Sequence, residues 1–130
     1  MKTKEDIVHF LLQAGMPHEE VSDGMWVVGS TDDAQKIVLK YAPPVLVARL
    51  NVMEVPEKHK EELFQTLLSL NATDMLHGAY GLEEGKIVIA DALELENLDF
   101  NEFQAMIDDI ALAVVSHHPQ LAKFREPAAA

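Results

Sequence analysis

Residues 70–89, LNATDMLHGAYGLEEGKIVI, decide how this chain divides into helices and strands. Just upstream, Leu63, Phe64, Leu67 and Leu68 recur at helical spacing. They predict a middle helix that takes Pro56 as its first residue and ends near Asn71. "ATDML" is then a connection. "GAYGLE" and "KIVIADAL" flank Glu84-Gly85 and read as a hairpin, with Gly85 supplying the positive φ of a tight turn. Gly78 and Gly81 fall in the first of these strands, where glycine marks a bulge or a close backbone approach.

Beyond the hairpin, Asp99 is placed to cap a last helix, with Glu102 three residues on and Leu98 able to staple onto Phe103. Phe103, Met106, Ile107, Ile110, Ala111 and Val114 make its apolar stripe, flanked by Leu112, Ala113 and Val115, and Pro119 is expected to stop it. Before the middle helix, Thr3 and Asp6 resemble a capping box for a short helix over residues 4–14, which Gly15 ends. Three strand-like runs follow at 25–29, 36–41 and 45–54. "STDDA" at 30–34 is expected to turn between the first two, and Pro43-Pro44 separates the second and third. In the third run Leu46, Ala48, Leu50 and Val52 share one face, and Val45, Val47, Arg49, Asn51 and Met53 the other. The expected order is α-β-β-β-α-β-β-α: an α+β domain with a five-stranded antiparallel sheet and three helices. A single domain is expected over residues 1–124, with 125–130 a loose C-terminal tail.

The 130 residues suffice for one core, and 48% hydrophobic content excludes a disordered chain. With no cysteine there is no disulfide, iron–sulfur cluster or thiol nucleophile. A formal net charge of -12 disfavours nucleic acid and anionic membrane surfaces as partners. No apolar run approaches the ~20 residues of a membrane span, and Glu5, Asp6, His9 and Gln13 interrupt any signal-peptide core, so a cytoplasmic location is expected.

Chemistry-bearing motifs are absent: no HExxH, GxSxG, P-loop or GxGxxG occurs. His117 and His118 are adjacent near a helix end, pointing about 100° apart, so they do not share an ion easily. His77 and Tyr80 read as a turn histidine and a packed tyrosine rather than a proton-transfer set, and the acidic pairs Asp32-Asp33 and Asp108-Asp109 read as solvated. Neither a metal nor a cofactor is expected. The last two strands are apolar on both faces, with Ile87 and Ile89 opposite Val88, Ala90 and Ala92, so one face calls for a helix, a second subunit or a peptide. Val45, Val47 and Met53 are the candidate partner-binding surface.

From "LLSLNATDMLHGAYGLEEGKIVIADALELENLDFNEFQAMIDDIA" onward the chain resembles the class I type III secretion chaperone fold, including the Tir chaperone and YbjN-like families. The shared phrases are Leu67, Leu68 and Asn71 at a helix end, the glycine-containing hairpin over residues 78–89, and Leu93, Leu95, Glu96, Leu98 and Asp99 leading into the last helix. The resemblance implies a homodimer that binds a secreted effector or another protein and performs no chemistry. The alternative it implies is a YbjN-like regulatory or structural interaction protein without an unfolded client. Carried over, the two-fold axis lies by the strand after the middle helix, which makes Gly78, Ala79, Tyr80 and Leu82 the candidate dimer interface.

Overall fold

The computed structural model describes residues 1–29 and 36–125. The turn expected at 30–34, with Asp32-Asp33, lies outside the described residues, as do residues 126–130 of the tail. Nine elements follow one another: α1 (Lys4–Ala14), β1 (His18–Ser22), β2 (Met25–Val28), β3 (Ile37–Ala42), β4 (Val45–Glu54), α2 (Lys60–Thr73), β5 (Ala79–Glu83), β6 (Lys86–Glu94) and α3 (Phe100–Ala122). The six strands form one sheet in the order β1-β2-β3-β4-β6-β5, antiparallel throughout. The class is α+β, but the sheet has six strands rather than the expected five, in the order α-β-β-β-β-α-β-β-α.

The additional strand is β1. Its sequence HEEVS buries no side chain, so it lacks the period-two signal of a half-buried strand. Backbone pairing with β2 holds it there, across a two-residue turn at Asp23-Gly24. That Asp-Gly pair was the available hairpin signal.

Local chemistry explains most element ends. Thr3 and Asp6 form the full capping box on α1, and Gly15 closes that helix at φ 68°. Asp99 caps α3 by accepting a hydrogen bond from the Glu102 amide at 2.7 Å. Glu84 and Gly85 both have positive φ, 49° and 76°, as the tight β5–β6 turn requires. Two helix boundaries differ from expectation. α2 begins at Lys60, not Pro56: Pro56 is buried in the connection, and His59 at φ 62° redirects the chain into the helix. α3 runs through Pro119 to Ala122, because the packing of buried Leu121 and Phe124 outweighs the lost backbone hydrogen bond.

The core lies between the helices and one face of the sheet. Trp26, Leu39, Leu46, Ala48, Leu50, Ile87 and Ile89 project from the strands toward Ile7 and Leu11 of α1, Leu63, Leu67 and Leu70 of α2, and Phe103, Met106, Ile107, Ile110 and Val114 of α3. α1 docks on the start of α3, where Phe10 stacks at 6.0 Å from Phe100 and 5.4 Å from Phe103. The stripe of α3 is the expected one at Phe103, Met106, Ile107, Ile110 and Val114, with one exchange: Ala113 is buried in place of Ala111, which faces solvent with Leu112 and Val115. No helix among the described residues is long and apolar enough to cross a membrane.

Candidate functional site

Among the described residues the other face of the sheet carries no helix. Its central strands form a concavity of about 480 Å³ lined by Met25, Val27, Lys36, Val38, Lys40, Val47, Arg49 and Asn51. The register builds it in rows across the strands. Val27 of β2 stands beside Val38 of β3, which stands beside Arg49 of β4, and Met25, Lys40 and Val47 form the next row. The valines are half-buried and the cations exposed, so the floor is apolar and the points above it are charged. Val45 lies at the end of this face and Val47 in its middle. Val88, between Asn51 and Gly81, is only 4% exposed, and Arg49 reaches over β6 to an ion pair with Glu83 of β5.

Met53 does not belong to this face. The pairing of β4 with β6 shifts between Asn51 and Met53, and that irregularity turns Met53 inward. Met53 is 8% exposed and joins the core, while Glu54 takes the outward place opposite Lys86. Strict alternation, the only guide in the sequence, does not register the extra residue.

A second apolar surface lies between α2 and the sheet edge formed by β5. Phe64, Leu67, Leu68, Asn71, Tyr80, Gly81, Leu82 and Ile87 line a groove of about 230 Å³. Leu68 and Leu82 stand 68% and 61% exposed at its mouth, a large area for leucine to offer water. Ala79 is exposed as well. Tyr80, expected among the dimer-interface residues, instead turns into the core at 6% exposure. Gly78 is held against β6: at φ +81°, an added Cβ would stand 3.0 Å from the Ala90 carbonyl oxygen.

Asn71 closes the backbone of this edge. Its side-chain oxygen accepts from the Tyr80 amide at 2.7 Å, and its side-chain nitrogen donates to the Tyr80 carbonyl at 3.1 Å. One amide side chain thus satisfies the outward donor and acceptor of an edge strand, and blocks another strand from pairing there. The Tyr80 ring runs inward to α3, where its hydroxyl stands 2.7 Å from His117 Nδ1, and His117 Nε2 stands 3.2 Å from an Asp74 carboxylate oxygen. The carboxylate only accepts, so Nε2 carries the hydrogen, and in the neutral ring Nδ1 accepts from Tyr80. His77 lies apart from this chain, paired through Nδ1 with Asp109, and His118 is exposed. Sequence reasoning did not foresee that Asp74, Tyr80 and His117 meet, since 37 residues separate the last two.

Burial first, and the Asp74 carboxylate second, push the Tyr80 phenol up to about 12, the reverse of what an activated phenol needs. Among the described residues no group of three His, Asp or Glu could hold a metal ion.

This architecture matches solved structures along nearly the whole chain. A chain of the heterodimeric ExoU–SpcU complex, from the type III secretion system of Pseudomonas aeruginosa, superposes with a TM-score of 0.69 at 15% identity, over 92% of this chain and 98% of that one. YbjN from E. coli gives 0.69 at 12% identity, over 92% and 93%. A chain of the complex between the Yersinia pestis type III secretion chaperone SycH and a stable fragment of YscM2 gives 0.63 at 16%, over 88% and 98%. At such identities the likeness shows the fold, which is that of type III secretion chaperones and YbjN. No curated protein matches the sequence. The sequence model of the CesT_Tir_1 family, however, matches residues 1–127, and this chain belongs to that family.

Proposed function

We propose that the chain is a non-catalytic, cytoplasmic, homodimeric module that holds a segment of another protein on the open face of its sheet. The observation that carries this reading is the uncovered concavity, whose floor of Val27, Val38 and Val47 lies on the side of the sheet away from the helices. Half-buried valines on a concave face gain from a covering partner in proportion to the apolar area they lose to it. Complexes between secretion chaperones and their partners among the structural neighbours support it. The dimer is proposed at the groove between α2 and β5, where Phe64, Leu68 and Leu82 meet their copies, with Ala79 and the backbone of Gly78 close by. The Tyr80 side chain serves the protomer.

The test is affinity capture with the wild-type chain and with Val47→Glu, each checked for an unchanged thermal melt. A partner retained by the wild type and lost by Val47→Glu supports the sheet-face reading. A partner held equally by both places binding elsewhere. A second reading, an interaction protein with a folded rather than an unfolded partner, rests on the likeness to YbjN, which equals that to the secretion complex. Capture of a partner that remains protease-resistant in the complex favours it.

A further inference from the structure

The chain carries 22 acidic and 10 basic residues, yet three of those ten cations, Lys36, Lys40 and Arg49, line one concavity. No Asp or Glu lines it among the described residues. Carboxylates on the same side stand at the margins: Glu19 on β1 beside Val27, Glu94 on β6 beside Val45, Glu54 at the end of β4 opposite Lys86, and Glu83 on β5. Glu83 is paired with Arg49, so the free positive charge of the concavity belongs to the two lysines. Several cations elsewhere are already engaged: Lys4 with Asp23, Lys123 with Glu62, and Arg125 with the Val52 carbonyl. Neither Lys36 nor Lys40 has an ion pair among the described residues.

Resting on the reading of this face as the partner site, we propose that its occupant is an acidic segment, with apolar side chains seated on the valines and Asp or Glu side chains meeting Lys36 and Lys40. The two lysines flank Val38 at period two on one face of the chain, so their Cα atoms are roughly 14 Å apart along the strand. An apolar residue with an acidic residue two positions away on either side therefore matches the surface when extended. The overall charge of -12 points to the opposite expectation, a basic partner. Distance decides between them. At physiological ionic strength charges beyond ~8 Å are largely screened, whereas a carboxylate in contact with a lysine is not. Bare phosphates would meet the same lysines but leave the valine floor uncovered, so nucleic acid fits the concavity poorly.

The experiment uses two fluorescent peptides of equal length with serine at every second position; on the remaining positions, which share one face when extended, valine alternates with glutamate in one peptide and with lysine in the other. Binding is followed by anisotropy at physiological salt, with wild-type protein, a Lys36→Glu/Lys40→Glu variant and Val47→Glu. The lysines are exposed, so the double variant is expected to keep the wild-type melt. The acidic peptide should bind wild type at least tenfold tighter than the basic one, and the double variant should reverse the preference. Equal binding of both peptides, tighter binding of the basic one, or a preference unchanged by the double variant overturns the acidic-partner inference. If binding in those cases is still lost in Val47→Glu, the sheet-face reading survives without it. Binding of either peptide that Val47→Glu leaves intact removes the face and the inference together, as does failure of both peptides to bind. Displacement of the acidic peptide by a single-stranded oligonucleotide also overturns the inference.

Discussion

Tyr80 ionises late because its phenol is buried and stands near the Asp74 carboxylate. The folded state holds the phenol proton up to about 12, whereas a free tyrosine releases it near 10.0. Below the lower value both states are protonated and the full contribution is present. Between the two the unfolded chain ionises and the folded one does not, so stability falls as pH rises, by on the order of 2 kcal/mol across the window. Spectrophotometric titration should show one of the two tyrosines ionising late and together with unfolding, and Tyr80→Phe should remove that late component. The same variant takes a hydrogen bond from buried His117 and should cost about 0.5–1.5 kcal/mol in a urea melt. Gly78 shows the opposite kind of necessity, since what matters is the atom it lacks. Gly78→Ala places a Cβ 3.0 Å from the Ala90 oxygen at a left-handed φ, and should cost at least about 1–2 kcal/mol. A Gly78→Ala melt within experimental error of wild type would show that β5 can shift off β6.

At the scale of elements, α2 and α3 hold the hairpin β5–β6 by different means. α3 does so by packing: Ile107 and Ile110 are buried, as is Leu67 of α2, and each changed to alanine should cost about 2–5 kcal/mol in urea melts. α2 adds a polar clamp. Asn71→Ala leaves the Tyr80 amide and carbonyl without their partner, which should cost about 1–3 kcal/mol and expose a strand edge. The variant should therefore associate with increasing concentration beyond the size of the wild type, as sedimentation can show. The hairpin and the three helices were legible because their signals are local: Asp99 three residues from Glu102, Thr3 three from Asp6, Glu84-Gly85 between two apolar runs. β1 and the irregularity in β4 were not. β1 is held by its neighbour's backbone and has no buried face of its own. Met53 turns inward because the register with β6 slips, and register is a relation between two strands.

For the whole molecule, the helices cover one face of the sheet, and apolar surface stays open at the concavity of β2–β4 and at the groove between α2 and β5. The proposed dimer uses the second and leaves the first for the partner. Light scattering on dilute protein should give near twice the 14.4 kDa chain mass. Leu82→Arg should split that dimer, because an unpaired charge would be buried where two copies meet. Ala79→Glu should weaken it similarly. A wild-type monomer, or a dimer untouched by both changes, removes the α2–β5 groove as the interface.

The sequence by itself determined the α+β class, three helices, the caps of α1 and the N-cap of α3, the β5–β6 hairpin and the family. Each of these rests on side chains within a few residues of one another, or on the period with which apolar residues recur. Only the tertiary structure decided where those periods end. It turned Met53 and Tyr80 into the core, brought Asp74, Tyr80 and His117 together, and collected Lys36, Lys40 and Arg49 over a valine floor. These outcomes depend on pairing register and on packing between segments distant in the chain, and neither quantity is carried by any one stretch of residues.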